Sequence, residues 1–276
     1  MNLLVISDLH IGVKDRFDTF GWQIKHFIDV LEHIVAKHNI QQVILNGDIF
    51  ELYHNTFEQV YPVNSELIDY LKQKKYIFIK GNHDALSTLG YDSYIIENSK
   101  GQQIYIEHGH NADFLNGTKL GRCIGRFGFR LLKFFTKYEF VLKQYFKTVE
   151  RNDYVNRIPK KYDSYTYLRY ALNLLKHYDA VILGHTHKIE VHKTYYLNNK
   201  KVYLNTGSCS LHRFQGVIIE TETLKYETIK LSKKKLHKKF GNGHPTPLGD
   251  NTTIEVNKIL KPTLKQYLNT GYVKIV

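Results

Sequence analysis

Five short apolar runs in this chain each end in residues able to hold a metal ion, and that repetition constrains the fold more than any overall property does. Leu4-Val5-Ile6-Ser7 leads into Asp8 and His10, and Val43-Ile44-Leu45-Asn46 into Gly47-Asp48. Tyr76-Ile77-Phe78-Ile79 leads into Gly81-Asn82-His83-Asp84, Ile104-Tyr105-Ile106-Glu107 into His108, and Ala180-Val181-Ile182-Leu183 into Gly184-His185-Thr186-His187. A run of about four β-branched or apolar residues has the length of a buried strand. Open α/β folds place their sites outside the carboxyl ends of the strands. The five runs therefore predict one sheet edge crowded with carboxylate, amide and imidazole groups, with Asp48 at its centre bridging two ions.

The stretches between these strands predict the layers around them. Asp18 to His38 carries apolar residues at helical spacing, followed by the strand ending at Asp48, an irregular stretch from Ile49 to Val63, and a shorter helix over Ser65 to Gln73 with Ser65 as its cap. Together they form a parallel βαβ half. Ser93 to Asn98 and Gln102 to Glu107 flank Ser99-Lys100-Gly101 as a hairpin. Beyond His187 only strands are expected: Glu190 to Leu197 with Lys201 to Asn205, and Gly216 to Thr221 with Lys225 to Lys230, read as a second, largely antiparallel sheet packed on the first. The expected fold is α/β, a two-sheet β-sandwich flanked by helices. Its domain would span 1–231, including a basic helical insert at 112–178. A basic tail at 232–276 reads as a linker followed by a short helix near Leu260 to Leu268.

Charge separates these parts. The whole chain carries +13, yet Leu115 to Tyr178 holds 14 Lys/Arg against 4 Asp/Glu and Ser232 to Val276 holds 9 against 2, leaving 16 against 20 elsewhere. The core is mildly acidic and the additions are basic, which points to a polyanionic partner or, more simply, to a soluble basic surface. The run from Met1 to Ile6 is too short for a signal peptide, and no apolar stretch approaches the roughly 20 residues that span a bilayer. The expected location is cytoplasmic, with peripheral contact on the inner face of the membrane as an extension. Cys123 and Cys209 form no disulfide framework and read as small buried residues.

The donor set has its own chemistry. Asp8, His10, Asp48, Asn82, His108, His185 and His187 mix carboxylate, amide oxygen and imidazole without thiolate, which suits Mn²⁺, Fe²⁺ or Zn²⁺. Seven ligands exceed what one tetrahedral ion takes, and they fit two divalent ions of higher coordination sharing a carboxylate. Mn²⁺ is the first choice, with Fe²⁺, Zn²⁺ and Mg²⁺ also compatible. His110, two residues past His108, is a candidate substrate contact or an exposed loop residue.

The pattern Asp-x-His, Gly-Asp, Gly-Asn-His-Asp, His-Gly-His and Gly-His-Thr-His resembles the calcineurin-like metallophosphoesterase superfamily, over roughly Met1 to Lys230 apart from the insert. The resemblance implies that Asp8, His10, Asp48 and His187 bind one ion and that Asp48, Asn82, His108 and His185 bind the other. It also implies that His83 stands over the leaving group and that Asp84 orients it. Two ions about 3.5 to 4 Å apart would clamp a phosphoryl group, convert a bridging water to hydroxide and stabilise in-line attack. His83 would then protonate the departing oxygen.

Within the superfamily, Gly47-Asp48-Ile49-Phe50-Glu51-Leu52 lacks the Asp-Arg-Gly of serine/threonine protein phosphatases. The Asp-Ile-Phe-Glu stretch and the long insert instead resemble the UDP-2,3-diacylglucosamine pyrophosphohydrolase group, with His83 standing where the best-known branch has Arg. A lipid-linked nucleotide sugar is thus the expected substrate, with a soluble phosphomonoesterase or phosphodiesterase acting on nucleotides or nucleic acid as the alternative. No protein partner is expected, and the intact ligand set argues against a non-catalytic scaffold. In the insert, Ile124, Phe127, Leu131, Phe134, Tyr138, Val141 and Tyr145 repeat at intervals of 3 and 4 beside Arg126, Arg130, Lys133 and Lys137. That spacing fits a helix on an anionic membrane, a lid for acyl chains, or a plain core-packing helix. Arg122, Arg126, Arg157 and Arg169 are candidate contacts to a substrate phosphate.

Overall fold

The computed structural model describes residues 1–85, 87–112, 114–154, 163–231, Leu236 and three stretches of the tail at 256–257, 266–269 and 272–275. One sheet is built on the parallel strands β1 (Asn2–Ile6), β2 (Gln42–Asn46) and β3 (Ile77–Ile79), connected by helices α1 (Ile24–Lys37) and α2 (Phe57–Gln73). The other is built on β4 (Ser93–Glu97), β5 (Gln103–Glu107) and β6 (Ala180–Leu183). Between β5 and β6 run α3 (Phe114–Gly117), α4 (Lys119–Phe135), α5 (Glu139–Tyr154) and α6 (Asp163–Leu174). Strands β7 (Ile189–Tyr196) and β8 (Asn199–Thr206) join the second sheet through β6, whereas β9 (Phe214–Glu220) and β10 (Lys225–Leu231) join the first through β1. In the tail, β11 (Val256–Asn257) pairs with β10, and the hairpin of β12 (Gln266–Asn269) and β13 (Tyr272–Ile275) pairs with β4.

Alternation along the central strands stacks these layers. Leu3, Val5 and Ile44 face the second sheet, where they meet Ile96, Ile106 and Ile182. Leu4, Ile6, Val43 and Leu45 face the other way, onto Phe27, Leu31, Leu67 and Leu71 of α1 and α2. Successive side chains of a strand point to opposite faces, so a continuous apolar run marks a strand buried on both. Each such side chain contributes roughly 1.5–3 kcal/mol of burial. On the far face of the second sheet, Ala171 of α6 and Leu175 pack on Tyr105, Val181 and Tyr203.

Several sequence expectations are corrected. Helix α1 starts at Ile24 rather than Asp18, because Gly21 turns the backbone at φ 70° and the chain buries Phe20 and Trp22 first. Helix α2 starts at Phe57, within the stretch expected to be irregular: Thr56 and Gln59 form a capping box, and Pro62 sits inside the helix. The bend comes at Asn64, whose side chain donates to Gly12 O and Val60 O; the second half of the helix starts at the expected Ser65. The late hairpins do not form a separate antiparallel sheet but split between two mixed sheets. Strand periodicity carries no information on which sheet a hairpin joins. The insert's apolar repeat is interrupted at Thr136 to Tyr138, giving two helices, and the stretch from Asp163 to Leu174 serves as a core helix under β6. Cys209 is buried, but Cys123 is exposed. Where a tail helix was expected near Leu260 to Leu268, residues 266–268 are strand and 260–265 lie outside the described residues.

Candidate metal centre

The carboxyl ends of β1, β2 and β3 from one sheet and of β5 and β6 from the other point to the same edge, so the ligand types gather where the sheets meet, not along one sheet as expected. Asp8, His10, Asp48, His185 and His187 all adopt positive φ, between 51° and 68°. A non-glycine residue in that region costs roughly 1–3 kcal/mol and persists only where its surroundings hold it. Here the loops brace one another: Asp8 N donates to Gly47 O and His10 N to Asp48 O, each within 3.0 Å. Glycines permit the crowding. Gly47 has φ 83°, and a Cβ on it would fall 2.5 Å from the His108 ring; one on Gly184 would fall 2.6 Å from Ser7 Oγ.

The donor atoms converge in overlapping groups, Asp8 with His10 and His187, His10 with Asp48 and His83, and Asp48 with His108 and His185, each within 4.8 Å. His187 Nε2 lies 3.1 Å from Asp8 Oδ1, His108 Nε2 lies 3.2 Å from Asp48 Oδ2, and His10 Nε2 lies 3.3 Å from His187 Nε2. Apart from these close approaches within the cluster, the buried atoms Asp8 Oδ1, Asn82 Oδ1 and His108 Nε2 have no hydrogen-bond partner. Such orphaned polar atoms cost free energy unless a ligand satisfies them. The orphaned atoms are a carboxylate oxygen, an amide oxygen and an imidazole nitrogen, a set that fits divalent cations. Their second contacts aim them: His108 Nδ1 is 2.8 Å from Asn46 O, which leaves Nε2 to face the cluster, and Asn82 Nδ2 donates to Tyr53 OH at 3.0 Å.

Electrostatics matches this packing. Burial opposes ionisation of Asp8 and Asp48, but His187 and His108 beside Asp8 bring it down to about 2, and His108 and His83 hold Asp48 well below the carboxylate range. Burial likewise opposes charge on His108, which Asp48 and Asp8 overcome, raising it to about 9.

His83 is held by a residue outside the expected set. Its Nδ1 is 2.7 Å from Glu51 Oε2, an oxygen that also lies 3.3 Å from His10 Nδ1. Tyr53 stacks on the His83 ring at 3.9 Å, and Phe129 of α4 meets it edge-on at 5.6 Å. Burial disfavours charge on His83, yet Glu51 and Asp48 raise its pKa to about 9. The carboxylate of Asp84, expected to orient His83, accepts instead from Gly81 N at 2.6 Å and from Ile49 N at 2.7 Å, tying the loop after β3 to the loop after β2. Burial, then the charge of Asp48, raises Asp84 to about 6. Spacing could have flagged Glu51, three residues past Asp48, but Tyr53 and Phe129 depend on how the insert docks.

A pocket of about 260 Å³ opens over the cluster. Asp48, Asn82, His83, His185 and His187 form its floor, and Tyr53, Leu115, Ile124, Gly125 and Phe129 form much of its wall. The basic candidates are scattered. Arg126 lies over the Tyr53 ring at 5.8 Å. Arg122 donates to Asn116 O and Gly117 O, closing α3, and Arg169 is exposed on α6. Arg157 lies outside the described residues. His110 sits half-buried with its ring 5.6 Å from that of His108, and burial followed by the charges of His108 and His185 lowers it to about 3.

No curated protein matches the chain in sequence. Among solved structures, a predicted phosphoesterase from Streptococcus pneumoniae is 15% identical, covers 93% of this chain and 97% of its own, and superposes with a TM-score of 0.39. A dimetal phosphatase from Danio rerio is 9% identical, covers 84% and 96%, and gives 0.44. The calcineurin-like phosphoesterase family matches residues 1–189. That match takes in every strand end described above and well over half of the 276 residues, and the chain therefore belongs to the calcineurin-like phosphoesterase family, the hydrolases of phosphoric esters.

Proposed function

We propose that this hydrolase cleaves a phosphate ester or diphosphate bond at a pair of divalent cations, with Asp8, His10, Asp48 and His187 around one and Asp48, Asn82, His108 and His185 around the other. The observation that carries the reading is the chain of donor groups that overlap at His10 and Asp48, beside three buried polar atoms with no hydrogen-bond partner outside the cluster. Bound ions supply Lewis-acid charge and an activated water for in-line displacement at phosphorus. Mn²⁺ is the proposed occupant, with Fe²⁺, Zn²⁺ and Mg²⁺ as alternatives. The chain does the rest. Asp8 and Asp48 stay ionised at neutral pH, and His83 donates a proton from Nε2 to the leaving oxygen while Glu51 holds Nδ1. The Tyr53 stack holds the His83 ring in the floor of the pocket. Asp84 fixes the two loops that carry Asp48 and His83.

The wall built by Leu115, Ile124, Phe129 and Tyr53 favours an apolar group beside the reacting phosphate. That supports a lipid-linked nucleotide sugar such as UDP-2,3-diacylglucosamine. Arg126, 5.8 Å over the Tyr53 ring at the pocket wall, supports a second reading, a nucleotide or nucleic-acid ester with its phosphate near the guanidinium and its base among the aromatic side chains. Hydrolysis of UDP-2,3-diacylglucosamine beside bis-p-nitrophenyl phosphate, in Mn²⁺ with a chelator control, separates the two. Metal-dependent release of UMP from the lipid is expected; turnover of the small diester alone would overturn the lipid substrate and leave the metal chemistry standing. No turnover of either in Mn²⁺, nor when the assay is repeated in Fe²⁺, Zn²⁺ and Mg²⁺, would overturn the metal reading.

A further inference from the structure

The inner and outer faces of α4 are built differently. Inward, Gly121 is buried, Phe129 meets Tyr53 and His83, and Lys133 Nζ donates to Asn55 Oδ1 and pairs with Asp15 Oδ2, both at 2.8 Å. Outward, Leu120, Ile124, Phe127, Leu131 and Phe134 follow one another at intervals of 4, 3, 4 and 3 and are between 48% and 70% exposed. That interval places them on a single stripe of a helix. No described residue covers it, and monomeric soluble proteins rarely leave a contiguous apolar patch of that kind in water.

We propose that this outer face docks on an anionic lipid bilayer. Charge selects the occupant. Arg130 is exposed beside Phe127 and Leu131, and Lys137 Nζ lies over the rings of Phe134 at 4.5 Å and Tyr138 at 5.1 Å, in a segment with 14 Lys/Arg against 4 Asp/Glu. An amphipathic helix with aromatic residues on one side and cations at its margin settles at the headgroup boundary, apolar face inward. A second copy is a poor occupant, because a two-fold contact would set each copy's Arg130 and Lys137 close to those of the other. A substrate acyl chain leaving the pocket is also poorly placed to cover the stripe, since Phe127, Leu131 and Phe134 do not line the pocket. Ile124 belongs to both, so docking brings the pocket mouth to the level of the headgroups. Binding is independent of which ester the site hydrolyses and is read without turnover.

The test is co-sedimentation of the full chain with vesicles of phosphatidylglycerol and phosphatidylethanolamine, or of phosphatidylcholine alone. The comparison is Phe127→Ser/Phe134→Ser, with metal-dependent hydrolysis of bis-p-nitrophenyl phosphate and a thermal melt checking that it is folded. Wild type is expected on the anionic vesicles, and the double variant is expected to bind at least about tenfold more weakly at unchanged turnover. Should the double variant lose its melting transition, Leu131→Gln is read in the same way. Wild type left in the supernatant, or equal binding to both lipids, overturns the proposal. Equal binding by the variant overturns it too and moves the contact to the Lys-rich run after Ser232. A dimer in light scattering that the same substitutions dissolve assigns the stripe to a second copy instead.

Discussion

Around Asp48 the fold holds charged side chains in water-poor surroundings, on backbone that L residues rarely adopt; along the outer face of α4 it leaves large apolar side chains in water, on a regular helix. Asp8 and Asp48 are no more than 1% exposed, and Phe127 is 70% exposed. Each arrangement is costly by itself: buried charge loses hydration, and exposed aromatic surface forgoes about 25 cal/mol per Å². The compensation differs. At the candidate metal centre the fold provides most of it, through opposed charges and braced loops. On α4 it must come from outside the described residues. Unfavourable local structure thus points inward to chemistry in one place and outward to a contact surface in the other.

The largest effect should follow from removing the shared ligand. Asp48→Ala is expected to abolish turnover, with a loss of at least about 10³-fold, and to reduce bound metal below that of the parent in elemental analysis. Full metal content with full turnover would break the assignment of Asp48 to the centre. Next comes crowding: a Cβ on Gly81 would run into the carboxylate and backbone nitrogen of Asp48. Gly81→Ala should cost about 1–3 kcal/mol in denaturant unfolding and weaken metal binding, whereas Phe127→Ser, though it removes far more apolar surface, should stay within about 0.5 kcal/mol. Equal losses would erase the contrast between the two regions.

His83→Gln should lower kcat by about 10²–10⁴-fold for an alkyl or phenyl ester but far less for a p-nitrophenyl ester, since proton donation matters in proportion to the basicity of the leaving group. A uniform loss would instead make His83 a binding residue. The smallest effect concerns pH. His83 and His108 are raised to about 9 from 6.5, so the folded, metal-free chain holds their protons more tightly than the unfolded chain does. That contribution is complete below pH 6.5 and is lost as pH rises through about 9. A cation held by His108 competes with its proton, and its charge disfavours the one on His83. The rise in melting temperature on adding Mn²⁺ should therefore grow between pH 6.5 and 9, and a constant or shrinking rise would contradict it.

Much of the candidate centre is legible in the sequence, because a continuous apolar run that stops at Asp, Asn or His describes a strand end and a ligand type together. Asp8, Asp48, Asn82, His108 and His185 could be singled out on that basis alone. The contact on His83 is not legible in the sequence for a physical reason: the resemblance implies Asp84, whose carboxylate accepts from Gly81 N and Ile49 N, while Glu51 reaches the ring from the loop after β2. The bend in α2 at Asn64 likewise depends on a hydrogen bond to Gly12, 52 residues away.

The sequence by itself determined which strands are buried, where they stop and what chemistry their ends carry, since these follow from local period and side-chain type. Only the tertiary structure decided that the late hairpins divide between two sheets, that His83 rests between Glu51 and Tyr53, and that the apolar stripe of α4 faces out. Period 3.6 places residues on one face of a helix without saying what that face meets, and that depends on contacts with residues far away in the chain.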